Sequence, residues 1–490
     1  MTARTLTDLI VTLDRTDPRS LPVQLADGIR AQITRGTLGP GDAVPSTRHL
    51  AQRLGISRGT AVAAFDQLLA EGYLQAQQGK PTTVHPGLER IHPHRSETPP
   101  SAPTPTHHPG TTTTPHQLVA DLRPGQPDSS RVAGSAWRAA WRHAAAQNVE
   151  PSGDPQGLPS LRAAVAEHLR LMRALPVTPE SVIVTAGARE GLTLLLAAAA
   201  QRNGRSHLRV GLESPGHPGL RDVPGAHGHS VVPCSVDQQG LRVDLLPVGQ
   251  DAPDVLIVTP SHQYPLGGSL TLERRLELLE WAKRWDVLVV EDDFDSELRY
   301  VGAPLPTLSA LDTTGQQVAL LGTFSTVLTP ALATGYVAVP ENLRGGVVEL
   351  RTTLGTPVAA VTQFAVAHLL TSGHVRRHTQ RMRTAYSRRR DTVQAAFGQT
   401  SCARLVPMHG GIDAVIHTEL SEDLVVQRCA AAGLRVGRQS NYWAWESSSS
   451  SETVSADGPH GIVVGFAQAD DNQLRNVLPK LLAACTPDQP

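Results

Sequence analysis

The rarest reactive group in this chain of 490 residues is the lysine amine. Among 44 basic residues the only lysines are Lys80, Lys283 and Lys480. Any chemistry that needs a lysine as nucleophile must therefore use one of these three side chains. The four cysteines lie far apart and form no CxxC pair. The sequence therefore predicts no disulfide framework and no zinc cluster, and it favours a reducing compartment.

A second set of reactive side chains lies at the start of a predicted helix near the N terminus. Ser57, Arg58 and Thr60 occupy its first turn. A helix N terminus attracts phosphate, and an arginine guanidinium can donate two hydrogen bonds to a guanine edge. Arg48 on the preceding predicted helix would join them, and Lys80 at the tip of a predicted hairpin suits a phosphate. These residue types indicate contact with double-stranded DNA.

Residues 21–85 contain the elements that would position this set. Ser46 or Thr47 is predicted to cap the second of three helices, and Ser57 the third. Residues 73–84 predict a two-stranded wing broken by Gly79 and Pro81. The apolar positions predicted to face inward are Leu21, Val23, Leu25, Ile29 and Ile33, then Leu50 and Leu54, then Val62, Phe65, Leu68 and Leu69. This order predicts an α+β winged helix-turn-helix domain. The pattern also leaves open a three-helix protein-interaction module with solvated arginines.

Charge and composition divide the chain. The predicted winged helix has six basic and four acidic residues, whereas the whole chain has a net charge of −1. Residues 86–117 contain eight prolines, which is typical of an extended tether. We therefore predict an arm over 1–20, the winged helix over 21–85, a linker over 86–118 and a second domain over 119–490. The predicted protein is cytoplasmic, because no apolar run is long enough to cross a membrane.

The second domain alternates apolar runs of strand length with helical patterns. The strand candidates are 181–185, 207–212, 255–259, 287–291 and 318–321, and the helix candidates are 190–200 and 272–285. This alternation predicts an α/β unit with a mostly parallel sheet. The turn from Gly187 to Glu190, between a strand and a helix, is a candidate anion site.

Longer motifs carry a family resemblance. The segments PSTRHLA and GISRGTAVAAFDQLLAEGYL are similar to those of the GntR family of bacterial transcription regulators. Gly59 and the Lys80-Pro81 pair depart from that family and leave the base preference open. In the second domain, GDPQGLPSLRAAVAEHLR, TPSHQYPLG, EDDFDSELRY and LGTFSTVLTPALATGY follow the order of the MocR subfamily. The resemblance implies a fold-type I aminotransferase-like domain that binds pyridoxal phosphate (PLP), forms homodimers and senses an amine or amino acid.

The same resemblance assigns residues to the cofactor site. It implies that Asp292 contacts the pyridine nitrogen, that Gly187 and Ala188 form the anion turn, and that Ser325 is a retained site residue. His217 takes the place of the family's ring-stacking tyrosine, and Arg189 replaces an amide residue and could add affinity for the anion. The resemblance also places Thr326 where the family carries its PLP-binding lysine. Further departures are Ser152, Phe294 and Ala333, where the family has a tyrosine, a tyrosine and an arginine. A threonine cannot form the covalent link, so no covalently bound cofactor is expected. Arg438 could clamp a carboxylate, although a solvated side chain or pairing with a local acid is favoured.

Three functions compete at this point. The favoured prediction is a transcription regulator that binds a DNA operator as a homodimer, with no catalytic residues and no metal, and with an aminotransferase-like domain for dimerisation or effector sensing. The second is an active PLP-dependent aminotransferase with a DNA-binding arm. The third is a regulator that binds PLP, or a preformed PLP–amino acid adduct, without covalent attachment.

Overall fold

The computed structural model describes residues 11–76, 80–86, 118–148, 153–302, 305–398, 400–443 and 461–487. The chain divides into two compact units, Met1–Thr112 and Thr113–Pro490, which are described separately. The segment predicted as a linker lies almost entirely outside the described residues, as do the first ten residues of the predicted arm, Gly79 of the wing and Ser152.

The first unit is a winged helix-turn-helix. Its elements are α1 (Leu21–Thr34), α2 (Thr47–Leu54), α3 (Arg58–Ala70), β1 (Leu74–Gln75) and β2 (Thr83–Val84). The two strands pair antiparallel, and Leu25, Ile29, Leu50 and Leu68 are fully buried among the helices.

Two apolar residues predicted to face this core do not. Val23 and Val62 are each 36% exposed. On α3 the buried positions are Ala61, Ala64, Phe65 and Leu68, which follow the i, i+3, i+4, i+7 spacing of one helix face and leave Val62 outside it. Small alanines therefore occupy the contact face and let the helices approach closely.

The second unit contains the remaining elements. The helices are α4 (Ser135–Ala145), α5 (Pro159–Arg173), α6 (Ala188–Arg202), α7 (Pro218–Ala226), α8 (Leu272–Trp285), α9 (Leu308–Leu311), α10 (Glu341–Leu354), α11 (Ala360–Thr371), α12 (His374–Phe397), α13 (Glu422–Ala431) and α14 (Asp471–Cys485). The strands are β3 (Ala120–Asp121), β4 (Val182–Thr185), β5 (Arg209–Ser214), β6 (Ser230–Asp237), β7 (Gly240–Leu241), β8 (Val255–Val258), β9 (Leu288–Asp292), β10 (Val318–Thr323), β11 (Gly335–Ala338), β12 (Ala403–Leu405), β13 (Asp413–Thr418), β14 (Leu434–Arg435), β15 (Gly437–Arg438) and β16 (Gly461–Gly465). None of the described helices is both long and apolar enough to span a membrane.

An eight-stranded sheet forms the centre of this unit. Its order is β4-β11-β10-β9-β8-β5-β6-β7. Strands β10, β9, β8, β5 and β6 are parallel, whereas β11 is antiparallel to both β10 and β4. The predicted α/β fold is confirmed, and each predicted strand matches an observed strand within two residues at either end.

A second sheet was not predicted. Strands β12, β13, β16 and β15 form a four-stranded antiparallel sheet. Its inner face packs Ile416, Val464 and Phe466 into a core shared with α12 and α14. This smaller sheet follows α12, the longest helix described, at 24 residues.

The topology gathers one edge of the large sheet into a site. Strands β5, β8, β9 and β10 run in the same direction, and β4 joins them because both it and β10 are antiparallel to β11. The carboxyl ends of these strands therefore lie along one edge, where open α/β sheets bind their ligands.

Candidate functional site

In the first unit, a capped turn presents the predicted DNA-contacting residues. Gly55 ends α2 at φ 62°, a left-handed conformation that glycine adopts readily. Ser57 then caps α3, because its Oγ accepts a hydrogen bond from the Thr60 backbone N–H at 3.0 Å. The two hydroxyl oxygens of Ser57 and Thr60 also lie 2.8 Å apart. The turn between α2 and α3 is thus fixed by local hydrogen bonds.

The bond between the two hydroxyls uses the proton of only one of them, so the other can still donate to a phosphate. The backbone N–H groups of Arg58 and Gly59 in the first turn of α3 are also without an intrahelical acceptor. The side chains of Arg48, Arg58 and Lys80 are all exposed. The structure thus places all five predicted DNA-contacting residues in the helix-turn-helix and wing, with arginines at the start of α2 and of α3.

Removing the cap should loosen α3. In Ser57→Ala the N–H of Thr60 loses its side-chain acceptor, which we expect to cost about 1 kcal/mol. Hydrogen exchange of the α3 amides in the full chain should then be about fivefold faster, while exchange in the second unit stays unchanged. Ser57→Asp keeps an acceptor at the cap and is the matched control. Equal exchange in the alanine variant and the wild type would show that the cap contributes nothing.

In the second unit, the other predicted site residues line the carboxyl edge of the large sheet. Gly187 directly precedes α6 and has φ 92°. A Cβ added at Gly335 would lie 3.0 Å from the Cα of Gly187. Gly335 pairs with Thr323 across β10 and β11, which brings Ser325 to the same place. Ala188 is the first residue of α6. The anion turn and the segment containing Ser325 are therefore neighbours.

The anion turn is held by an ion pair between buried Arg351 and half-buried Glu190. Arg351 of α10 is 1% exposed. It contacts Glu190 at 2.8 Å and donates a hydrogen bond to the Val184 carbonyl at 3.0 Å. Glu190 in turn accepts from the Ala186 N–H at 3.1 Å. This network fixes the end of β4 and the start of α6 through protein contacts alone.

Asp292, at the end of β9, is a buried carboxyl group with an unused acceptor. It is 3% exposed, and its Oδ1 has no hydrogen-bond partner. Burial, followed by the nearby Asp293 carboxylate, holds the pKa of Asp292 well above its usual range. Asp293 itself pairs with Arg173 at 2.8 Å. The charge of Arg173 is therefore engaged by Asp293 rather than by Asp292. A ligand that offers a ring N–H or a ring nitrogen would satisfy this group.

His217 and Arg189 lie next to each other at the carboxyl edge of the large sheet. A Cβ built on Gly219 would lie 2.6 Å from Arg189 Nη2 and 2.9 Å from His217 Cε1. Burial and the adjacent Arg189 guanidinium lower the pKa of His217 to about 4, so the ring is neutral at pH 7. Its Nδ1 is buried without a partner, and the ring stacks at a tilt on Tyr264, 5.1 Å between centroids.

The residues that depart from the family also lie at this edge. Thr326 is half-buried just after β10, and Ser325 Oγ accepts from Thr323 Oγ1 at 2.9 Å. Phe294 packs on Tyr264 and His262 through its ring alone. Ala333 lies in an exposed turn at φ 43°. Where the family is expected to contact PLP, Thr326 offers a hydroxyl in place of an amine, Phe294 offers a ring without a donor, and Ala333 offers a methyl group.

Neither lysine of the second unit lies at this edge of the sheet. Lys283 is exposed near the end of α8. Because α8 leads directly into β9, Lys283 lies at the opposite edge of the sheet from Asp292, about 16 Å away along a five-residue strand. Lys480 is exposed on α14, which packs on α12 and α13 rather than on the site.

Arg438 pairs with a local acid, one of the two arrangements favoured from sequence. It contacts Asp423, and Glu422 at 3.4 Å.

Two further groups of residues lie at or just after the carboxyl ends of the strands and were not predicted from the sequence. Buried Glu213 accepts from the Thr259 N–H at 3.2 Å, and burial raises the pKa of Glu213 to about 7. The one available signal was a charged residue closing an apolar strand. The pair of His262 and Asp295, at 2.7 Å, had no sequence signal because 33 residues separate its members.

Comparison with known proteins agrees with both units. Residues 21–84 match the model of bacterial regulatory proteins of the gntR family, and residues 121–428 match that of aminotransferase class I and II. The HTH-type pyridoxine biosynthesis transcriptional regulator PdxR of Corynebacterium glutamicum is 45% identical over 97% of this chain and 98% of its own length. The probable rhizopine catabolism regulatory protein MocR of Rhizobium meliloti is 32% identical, with 79% of each chain covered.

Solved structures show the fold of the second unit. An archaeal alanine:glyoxylate aminotransferase superposes with a TM-score of 0.66 at 21% identity, covering 76% of this chain and 91% of its own.

A winged helix-turn-helix joined to a fold-type I aminotransferase unit defines a class of DNA-binding transcription regulators. The chain belongs to the MocR-type branch of the GntR family.

The fold family implies PLP, and the site accommodates that group only in part. Asp292 has a free acceptor for a ring nitrogen, and His217 offers a planar neighbour. The start of α6 offers backbone N–H groups to a phosphate. No amine stands at position 326. The residues present therefore fit a pyridine ring held without a covalent bond, and they do not fit a ring attached to the protein.

Proposed function

We propose that this chain is a sequence-specific transcription regulator whose aminotransferase-like unit dimerises and senses a small molecule without catalysing a reaction. The observation that carries the proposal is the pairing of a capped, arginine-bearing recognition helix with a cofactor edge that lacks an amine. The two winged helices of a dimer would bind two half-sites, and the proline-rich tether would permit more than one spacing.

Binding to DNA tests this proposal first. Genome-wide mapping of the full chain should give discrete peaks, with gel shifts at the DNA flanking its own gene as the local check. Operator binding should depend on sequence and weaken as salt rises, because phosphate contacts release counterions. Salt-sensitive binding that shows no sequence preference at any mapped site would overturn the proposal.

A second candidate function is that of a non-covalent sensor of PLP or of its amino acid adducts. The unpartnered Oδ1 of Asp292 favours it, because a buried carboxyl group without a partner is costly unless a ligand supplies one. The 45% identical relative is named a regulator of pyridoxine biosynthesis, which supports a vitamin B6 compound as the effector.

In this candidate function each residue has a structural task. PLP, when bound, supplies an electron-withdrawing ring. Asp292 would hold the proton shared with the ring nitrogen, and His217 would cover one ring face. Arg189 and the first N–H groups of α6 would hold the phosphate. With no amine in reach, these residues bind and orient the ligand and provide no nucleophile for covalent chemistry.

Calorimetry with PLP separates the two candidates. We expect the wild type to bind PLP reversibly and Asp292→Ala to bind about tenfold more weakly, since a hydrogen bond to an ionised group is removed. Asp251→Ala removes a carboxylate that is 86% exposed and serves as the control. Equal, weak binding by wild type and Asp292→Ala would eliminate the sensor and leave the first function standing.

A further inference from the structure

Helix α12 presents a row of arginines to solvent. Arg377, Arg381 and Arg388, with Thr384 between them, follow i, i+4, i+7 and i+11 spacing and so share one face. We call these three arginines the arginine stripe. Arg376 and Arg383 form a parallel row beside it at the same spacing. Between His374 and Arg388 the helix contains no aspartate or glutamate.

The arginine stripe is exposed, and carboxylates neutralise little of its positive charge. Arg377, Arg381 and Arg388 are all exposed, and the Arg388 side chain is 60% exposed. Among the described residues, no carboxylate lies within ion-pair distance of Arg377 or Arg381, and Arg388 has only Asp471 at 3.8 Å. That aspartate is already engaged by the buried Arg389 at 2.9 Å.

The opposite face of α12 holds the helix in place. Arg389 is 1% exposed and contacts Asp128 at 3.2 Å, while the Tyr386 hydroxyl accepts a hydrogen bond from the Asp128 N–H at 2.9 Å. Two histidines at the side of α12 have lowered pKa values, to which the neighbouring arginines contribute. Burial and then the neighbouring Arg381 and Arg377 guanidinium groups lower the pKa of His374, and the pKa of His378 falls to about 4, chiefly through burial.

We propose that the arginine stripe makes a second, sequence-independent contact with the phosphate backbone of double-stranded DNA beside the operator. From Arg377 to Arg388 the stripe spans about 16 Å, the axial length of about five base pairs. Guanidinium groups suit phosphate because they donate in a planar fork. The inference rests on the proposed function, since an operator-bound winged helix raises the local concentration of DNA around the second unit.

The test compares two DNA lengths. After footprinting of the operator, fluorescence anisotropy measures binding of the full chain to a duplex of the footprint alone and to one extended by about 20 base pairs on each side. In the triple variant Arg377→Gln, Arg381→Gln, Arg388→Gln we expect unchanged binding of the short duplex and about tenfold weaker binding of the long one. The salt dependence on the long duplex should become less steep by about 0.9 for each phosphate that the variant no longer neutralises.

A charge-matched variant makes the result specific. Arg205→Gln, Arg284→Gln, Arg435→Gln removes three exposed arginines from other elements of the same unit, and it should bind the long duplex like the wild type. Unchanged affinity and salt slope in the stripe variant would overturn the proposal and point to an acidic protein partner. Equal weakening in both triple variants would overturn it in favour of bulk charge. Failure of the wild type to bind the short duplex would instead count against the proposed function.

Discussion

Arg58→Ala is expected to lose about 1–3 kcal/mol of discrimination between operator and non-operator DNA, a change of roughly fivefold to 150-fold. Arg58 is the first residue of α3 and is exposed, directly after the Ser57 cap. Because the cap bonds fix the backbone there, the guanidinium starts from a defined position and can reach a base edge in the major groove. Competition binding with operator and scrambled duplexes at fixed salt measures the discrimination.

The control for this prediction is Arg48→Ala on α2. We expect it to weaken binding to operator and scrambled duplexes alike, because a phosphate contact carries no sequence information. A uniform loss in Arg58→Ala as well would assign Arg58 to the backbone, contrary to our prediction. The base preference would then have to come from other residues of α3.

The Thr326→Lys variant should bind PLP covalently, with one bond per chain. The wild type is expected to form no covalent bond with PLP. The substitution returns an amine to a half-buried position at the edge that contains Asp292. We expect a visible absorbance band with PLP that is trapped by borohydride and mapped to the introduced side chain by mass spectrometry. The wild type should show no trapped label on Lys283 or Lys480.

Thr326→Met is the matched control, since it adds length without an amine. A variant Thr326→Lys that takes no label would show that Asp292 and its neighbours do not accept the ring, against the fit argued above. Stoichiometric label on a wild-type lysine, or measurable exchange of an amino group with a keto acid, would contradict the non-catalytic role.

Local patterns explain what the sequence could predict. Helix α8 has the predicted bounds, 272–285, because an apolar face, the Thr271 cap and a left-handed stop at Asp286 are all encoded within it. The second sheet escaped prediction because β12 and β15 are only three and two residues long, and because β13 pairs with a strand almost fifty residues later. Pairing at such separations leaves no periodic signal.

The candidate site, like the fold, could be predicted from the sequence only in part. Family motifs located Asp292 and Thr326, whose identities are visible in the sequence. They could not show that Asp293 is taken by Arg173, 120 residues away, or that the Asp292 oxygen is left without a partner. Spacing likewise predicted the Ser57 cap, but it gave no sign that the hydroxyl groups of Ser57 and Thr60 bond each other.

The ion pair between Arg351 and Glu190 stabilises the anion turn without using the side chains of Arg189 and His217. Because the turn is tied to α10 by protein contacts, its shape does not depend on a bound ligand. Loss of Arg351 is therefore expected to disturb folding, whereas changes at Arg189 or His217 are expected to leave the scaffold intact. If the proposed sensing role holds, these two positions are where ligand preference could be altered.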